Sequence, residues 1–109
     1  MEIKQKTIDA PGIKFFVEQA GEEIARAYLY ILKNNPHDRP FGLLEDVFVG
    51  EAYRRQGLGG KLLKEVIKTA QEQNCYKLIG TSRFARPKVH DWYLRLGFKD
   101  WGKEFRMDF

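Results

Sequence analysis

The stretch Val49–Leu63, VGEAYRRQGLGGKLL, places Gly57, Gly59 and Gly60 directly after Arg54 and Arg55 and directly before a run with helical periodicity. A helix N-terminus carries unpaired N–H groups and roughly half a positive charge, which suits a phosphate. Glycines at that point remove the side chains that would hold phosphate oxygens off the amides. Arg54, Arg55 and Lys61 add fixed positive charge. The plainer reading is that the glycines only allow a tight strand-to-helix turn, for which one glycine would suffice. The two familiar phosphate loops do not fit. The dinucleotide pattern requires glycine where Leu62 stands, and the triphosphate loop requires glycine at Arg55 and Ser or Thr at Leu62.

Five other positions have side chains able to move protons or attack. Glu45 and Asp46 adjoin inside an apolar strand, an expensive placement unless the carboxylates are partnered or used. Tyr93 and His90 lie one turn apart in a helical run. Taken alone, Tyr93 on that helix's apolar face reads as a core aromatic. Cys75 and His90 have nothing in the sequence that would orient them as a nucleophilic pair. There is no cluster with metal-ligand spacing.

The elements that must position these residues follow from periodicity. GLLEDVFV reads as a strand with both faces largely buried, with Leu43, Glu45, Val47 and Val49 on one side and Leu44, Asp46 and Phe48 on the other. Leu58, Leu62, Leu63, Val66, Ile67 and Ala70 form one helical stripe. YKLIG is a short buried strand. Pro87 suits a first helical position, Val89, Trp92, Tyr93 and Leu96 line one face, and Gly97 ends the helix, with Phe98 expected to fold back onto Tyr93 or Trp92. Upstream, Glu2–Ile8 and IKFFVEQ read as strands about the turn DAPG. Residues Glu22–Lys33 are ambiguous, with local spacing slightly favouring a helix. The polar stretch Asn34–Pro40 is a loop. The tail alternates, Trp101, Phe105, Met107 and Phe109 against Asp100, Glu104, Arg106 and Asp108, as a half-buried strand would.

With these residues in view, VFVGEAYRRQGLGGKLL resembles the acetyl-CoA signature of the GNAT superfamily of N-acetyltransferases, Arg/Gln-x-x-Gly-x-Gly/Ala. Arg54, Gly57 and Gly59 take its positions, and RPKVHDWYLRLGF is similar to the family's second hallmark. The resemblance is loose over Phe15–Phe105 and good over Leu43–Phe98. It implies an α+β fold: a central mixed, mostly antiparallel twisted sheet with a splayed parallel strand pair and two main helices. It also implies that Glu22–Lys33 is a strand of an antiparallel hairpin. The backbone of Val47, Phe48 and Val49 would pair with the pantetheine arm of acetyl-CoA. Arg54, Arg55, Gln56, Gly57, Leu58, Gly59 and Gly60 would hold the cofactor at the glycine turn, with the amides from Arg55 to Gly60 around the pyrophosphate. Tyr93 would be the general acid beside the sulfur.

Acetyl transfer needs a neutral amine, and deprotonating a lysine-like amine at neutral pH costs ~4–5 kcal/mol, so a base is useful. Glu45, on the expected cofactor side, is the candidate, with a structural ion pair to an arginine as the alternative. His90 could assist. Two departures from the family pattern stand out. Only DAPG separates Ile8 from Ile13, where many members insert a pair of helices that wall the acceptor cleft. Arg86 also stands where an Asn often precedes the tyrosine by seven residues. A cleft open in this way suits a bulky acceptor or requires a partner subunit.

The bounds are consistent with that reading. A chain of 109 residues makes a single domain, 1–109. The start lacks an apolar signal core, no apolar run could span a bilayer, and the one cysteine fits a reducing compartment, so a cytoplasmic protein is expected. The net charge of +4 suits an anionic ligand but forms no basic arm. The expected partner is an amine acceptor, small molecule or protein, with a homodimer left open and no membrane. A non-catalytic CoA-binding module and, further off, a small basic nucleic-acid binder are the alternatives.

Overall fold

The computed structural model describes residues 1–34 and 36–109; Asn35, within the expected loop, lies outside the described residues. Four strands and two helices follow one another as β1 (Gly12–Gln19), β2 (Glu22–Leu32), β3 (Phe41–Val49), α1 (Leu58–Glu72), β4 (Leu78–Gly80) and α2 (Pro87–Arg95). A single 3-10 turn, Glu51–Tyr53, lies between β3 and α1. The sheet order is β1-β2-β3-β4, antiparallel except for the β3–β4 pair, which is parallel.

β1 and β2 form a hairpin through Ala20 (φ 53°) and Gly21 (φ 80°), with Gln19 opposite Glu22. Two left-handed residues are what a two-residue hairpin with the twist of its strands requires. The segment Glu22–Leu32 is therefore a strand, against its slight local preference for helix. Pairing on both edges and burial of Ala25, Ala27 and Leu29 on one face outweigh that propensity.

The core lies between this face and α1. Leu62, Leu63, Val66 and Ala70 of α1 meet Ala25, Ala27, Leu29 and Leu44. The α1 crossover carries the chain from β3 to β4, whose parallel pairing covers three rungs: Gly42 with Leu78, Leu43 with Ile79 and Leu44 with Gly80. Beyond Leu44 no strand pairs with that edge of β3 among the described residues. Helix α2 starts at Pro87 and ends with Gly97 at φ 104°. The amides of Gly97 and Phe98 bond the carbonyls of Leu94 (3.1 Å) and Tyr93 (3.0 Å), so Phe98 returns onto the Tyr93 ring at 5.2 Å.

Three expectations need correction. Glu2–Ile8 and Trp101–Phe109 form no strands, and DAPG leads into β1 rather than turning between two strands. Ile3, Trp101 and Phe105 are 93%, 89% and 89% exposed. Alternation supplies a face but no ladder partner, and neither end finds one among the described residues. The comparison of DAPG with a helical insertion between two strands therefore lapses. Finally, β3 is buried on one face only, since Glu45, Asp46 and Phe48 are exposed.

That last difference has a local cause. Tyr28 pairs with Glu45 but Arg26 pairs with Phe48, so β3 carries an extra residue, and Asp46 sits at φ 48°. The bulge reverses the alternation at this point. Leu44, Val47 and Val49 all pack toward the core, whereas Glu45 stands with Tyr28 on the opposite, open face. Glu45 thus does not share a face with Val47 and Val49. Among the described residues, no helix is long and apolar enough to cross a membrane.

Candidate active site

Each glycine of the turn has its own physical reason. Gly57 caps α1 at φ 76°, a left-handed conformation that favours glycine. Gly59 permits close packing: a Cβ there would lie 3.3 Å from Trp92 Cζ2 and 3.5 Å from Val49 Cγ2. Gly60 has neither constraint, because a Cβ would meet nothing within 4 Å. A side chain missing where the protein leaves open space is what a ligand approaching the backbone requires. The plain-turn reading accounts for Gly57 and leaves Gly60 unexplained.

No side chain caps α1 and no acidic residue stands in its first turn; the first helical bond runs from the Lys61 amide to the Gly57 carbonyl (3.1 Å). The amides of Leu58, Gly59 and Gly60 therefore point outward without intrahelical acceptors. Arg55 is held at φ 68°, a costly conformation for arginine. Arg55, Gln56 and Lys61 are exposed around the turn. Arg54 is tied down, with its Nε donating to the Val49 carbonyl at 2.9 Å. That bond clamps the start of the turn to the end of β3.

Trp92 carries the contact from the turn to the second helix. Its ring lies 5.7 Å from that of Tyr93. Tyr93 in turn sits at the last paired rung before β3 and β4 part: a Cβ on Gly80 would lie 3.5 Å from Tyr93 Cε2 and 3.4 Å from Leu44 Cδ2. Burial pushes the Tyr93 phenol above its ordinary value; the Glu45 carboxylate adds to the rise and Arg86 opposes it. Glu45, though on the other face by register, is thus close enough to act on Tyr93 electrostatically. Arg86 acts here on the tyrosine.

The two adjacent carboxylates have separate fates. Asp46 accepts from Arg26 Nε (2.9 Å) and Nη2 (3.2 Å), and this pairing holds its carboxyl below the usual range. Among the described residues Glu45 has no ion pair, so the structural arginine partner belongs to its neighbour. His90 Nε2 lies 2.8 Å from the Arg83 carbonyl and therefore donates to it, anchoring the loop before α2. Cys75 lies at the opposite end of α1, its thiol pushed up by burial, with Arg39 countering. Its amide bonds the Ala70 carbonyl.

Two contributors were not read from the sequence. Gly80 lets the Tyr93 ring reach the strand, and a glycine ending a buried strand is the kind of signal that marks a close approach. Ser82, two residues further, has a buried hydroxyl with no partner among the described residues. An orphan hydroxyl just past the parting of the strands, an uncapped helix start and the open space at Gly60 all fit an elongated phosphate-bearing ligand.

A parallel strand pair thus parts beside a glycine-rich helix start, with a tyrosine at the parting. Residues 2–98 match the acetyltransferase (GNAT) family, and the chain belongs to it. It is 34% identical over 70 residues to glucosamine 6-phosphate N-acetyltransferase of Trypanosoma brucei brucei, covering 64% of this chain and 46% of that one. It is 30% identical over 78 residues to an aminoglycoside N(6')-acetyltransferase type 1 of Serratia marcescens, covering 72% and 52%. The crystal structure of an acetyltransferase from Trypanosoma brucei superposes with a TM-score of 0.79 at 30% identity, covering 90% of this chain and 69% of that one. The chain spans about half the length of the two relatives matched by sequence.

Proposed function

We propose that this chain, working as a single cytoplasmic domain, transfers an acetyl group from acetyl-CoA to a primary amine by direct attack within a ternary complex. The observation that carries this reading is the position of Tyr93 over Gly80, at the rung where β3 and β4 part, one residue from the Trp92 that touches the glycine turn. Acetyl-CoA is the donor expected of the family. In this reading the outward amides of Leu58, Gly59 and Gly60 hold the pyrophosphate, with Arg54, Arg55, Gln56 and Gly57 completing the turn. The unpaired edge of β3 at Val47, Phe48 and Val49 receives the pantetheine arm.

Glu45, alone or through a water, takes the amine proton, and the neutral amine adds to the thioester carbonyl. A C–N bond forms, the C–S bond then breaks with its electron pair going to sulfur, the Tyr93 hydroxyl supplies the proton to the thiolate, and the second proton lost by the acetylated nitrogen restores the phenol, directly or through water. A phenol whose pKa is raised stays protonated until that moment, as a general acid must. Because both relatives named above act on amino sugars by their names, the acceptor proposed is an amine on a polar small molecule. The exposed Arg83 and Arg86 suit one that is anionic.

The test is thiol release from acetyl-CoA with a panel of amines that includes glucosamine 6-phosphate and aminoglycosides. Acetyl-dependent release with at least one amine is expected. CoA binding without turnover on any amine would favour a binding module instead.

A further inference from the structure

We propose that Arg26 of β2 is a positioning residue for acetyl transfer: its guanidinium fixes the extra residue of β3, and so decides which backbone groups of β3 face the cofactor. The inference rests on the reading of that edge as the seat of acetyl-CoA.

Tyr28 pairs with Glu45 and Arg26 with Phe48, so Asp46 and Val47 together stand opposite the single residue Ala27. On one side of this irregularity the Gly42 amide donates to the Lys77 carbonyl at 2.9 Å, so even-numbered residues there turn their polar groups away from β2. On the other side the Gly50 amide donates to the Ile24 carbonyl at 2.7 Å, so even-numbered residues turn theirs toward β2. Val47 and Val49 therefore present their polar groups to the edge that β4 leaves, and the Val49 carbonyl accepts there from Arg54 Nε at 2.9 Å. A regular ladder continued from Glu45 would set Val47 opposite Arg26 and present Asp46 and Phe48 at that edge instead.

Asp46 carries the conformational cost of this arrangement, since its φ of 48° lies in a region that favours glycine. Arg26 meets that residue with a fork, Nε 2.9 Å from one carboxylate oxygen and Nη2 3.2 Å from the other. The same guanidinium lies 4.8 Å from the centre of the Phe48 ring. It thus holds the residues on both sides of Val47 at once. Its remaining nitrogen, Nη1, lies 3.6 Å from Glu23 Oε2, so the group is braced from its own strand as well. Among the described residues, no other side chain bonds Asp46.

Amide hydrogen exchange and CoA calorimetry on the full chain test this together. In Arg26→Met the Gly50 amide should lose protection while the Gly42 amide, on the other side of the bulge, keeps it. CoA affinity should fall roughly tenfold, as it must when only about a tenth of the molecules hold the competent edge. Arg26→Lys keeps the charge and loses the fork, so its affinity should fall in the same direction; it also serves if Arg26→Met does not fold. Adding Asp46→Gly to either variant should restore most of both the protection and the affinity, because glycine takes the positive φ without a clamp. Equal loss of protection at Gly42 and Gly50 would make Arg26 a part of general stability and overturn the proposal. Unchanged CoA affinity in Arg26→Met would overturn it too. So would a loss that Arg26→Lys avoids or that Asp46→Gly does not repair, since the charge alone would then attract the cofactor. A wild type that binds no CoA overturns the reading of the edge itself, and this proposal with it, whatever the exchange pattern.

Discussion

The ring of Tyr93 rests on the α-carbon of Gly80, with 3.5 Å between Tyr93 Cε2 and the position a Cβ would take. Gly80 is the partner of Leu44 in the last rung between β3 and β4, so the tyrosine is fixed at the point where the two strands part. Its other side is braced by Phe98, 5.2 Å away. A phenol held between a strand and a returning aromatic has its ring immobilised, and only the rim carrying the hydroxyl remains for chemistry. Tyr93→Phe deletes one oxygen and leaves that packing intact. CoA affinity and melting temperature should change little, while turnover should fall by roughly 10²–10⁴, the contribution proton transfer usually makes. Near-normal turnover in the phenylalanine variant would remove the tyrosine from the reaction.

Gly80 positions without touching substrate. An alanine there would make ordinary contacts with Leu44, Tyr93 and Phe98 at 3.4, 3.5 and 3.7 Å. The added methyls of Gly80→Val have no such room and must displace the Tyr93 ring, at a cost of ~1–3 kcal/mol in stability. The expected result is a kcat loss well beyond any rise in KM for acetyl-CoA, with Gly80→Ala close to wild type. Equal kinetics for the two variants would mean that the ring position does not matter.

The glycine turn is best probed at Gly60. Gly59→Glu would drive its Cβ to 3.3 Å from the Trp92 ring and so confuse packing with binding, whereas a Cβ at Gly60 meets nothing within 4 Å. Gly60→Glu should leave the melting temperature nearly unchanged and weaken CoA binding by at least about tenfold, because a negative charge then stands at the helix start. Unchanged CoA affinity by calorimetry, in a folded Gly60→Glu variant, would reduce the turn to a turn.

Glu45→Gln keeps the shape of the side chain and removes its charge. As the base, Glu45 matters most where amine deprotonation is hardest, so the rate should drop most at low pH. The loss of its charge should also let the Tyr93 phenol move back toward its ordinary value, because that carboxylate is one of the two causes of the rise. An unaltered pH–rate profile would pass the proton to water, to a residue of a partner chain or to His90, whose Nδ1 keeps its lone pair while Nε2 donates to the Arg83 carbonyl.

Alkaline stability gives a check that does not depend on activity. The folded-state pKa of Tyr93 lies above its unfolded value, so the neutral ring's contribution is fully present below the unfolded pKa of about 10. As pH rises from there through the folded value, only the unfolded chain has released its proton, and stability falls. Urea midpoints measured at about pH 9 and about pH 11 should diverge more for the wild type than for Tyr93→Phe. Parallel pH dependence in the two proteins would contradict the buried phenol.

Much of this site was legible in the chain because its signals are local. The glycine turn, the apolar stripe of α1, and the Pro87 start and Gly97 stop of α2 each depend on residues within a few positions of one another. The return of Phe98 onto Tyr93 is likewise decided inside one helical cap. The same sequence could not say which side Glu45 would take. Alternation placed it with Val47 and Val49, and an extra residue opposite β2, at Asp46, put it with Tyr28 instead. A bulge is a fact about two strands, invisible in either one. Glu22–Leu32 became a strand for the same reason, since its ladder partners lie in β1 and β3. The ends of the chain make the converse case: Trp101–Phe109 alternates as a strand does, but alternation sets only a face, and hydrogen bonding to a neighbour is what makes a strand.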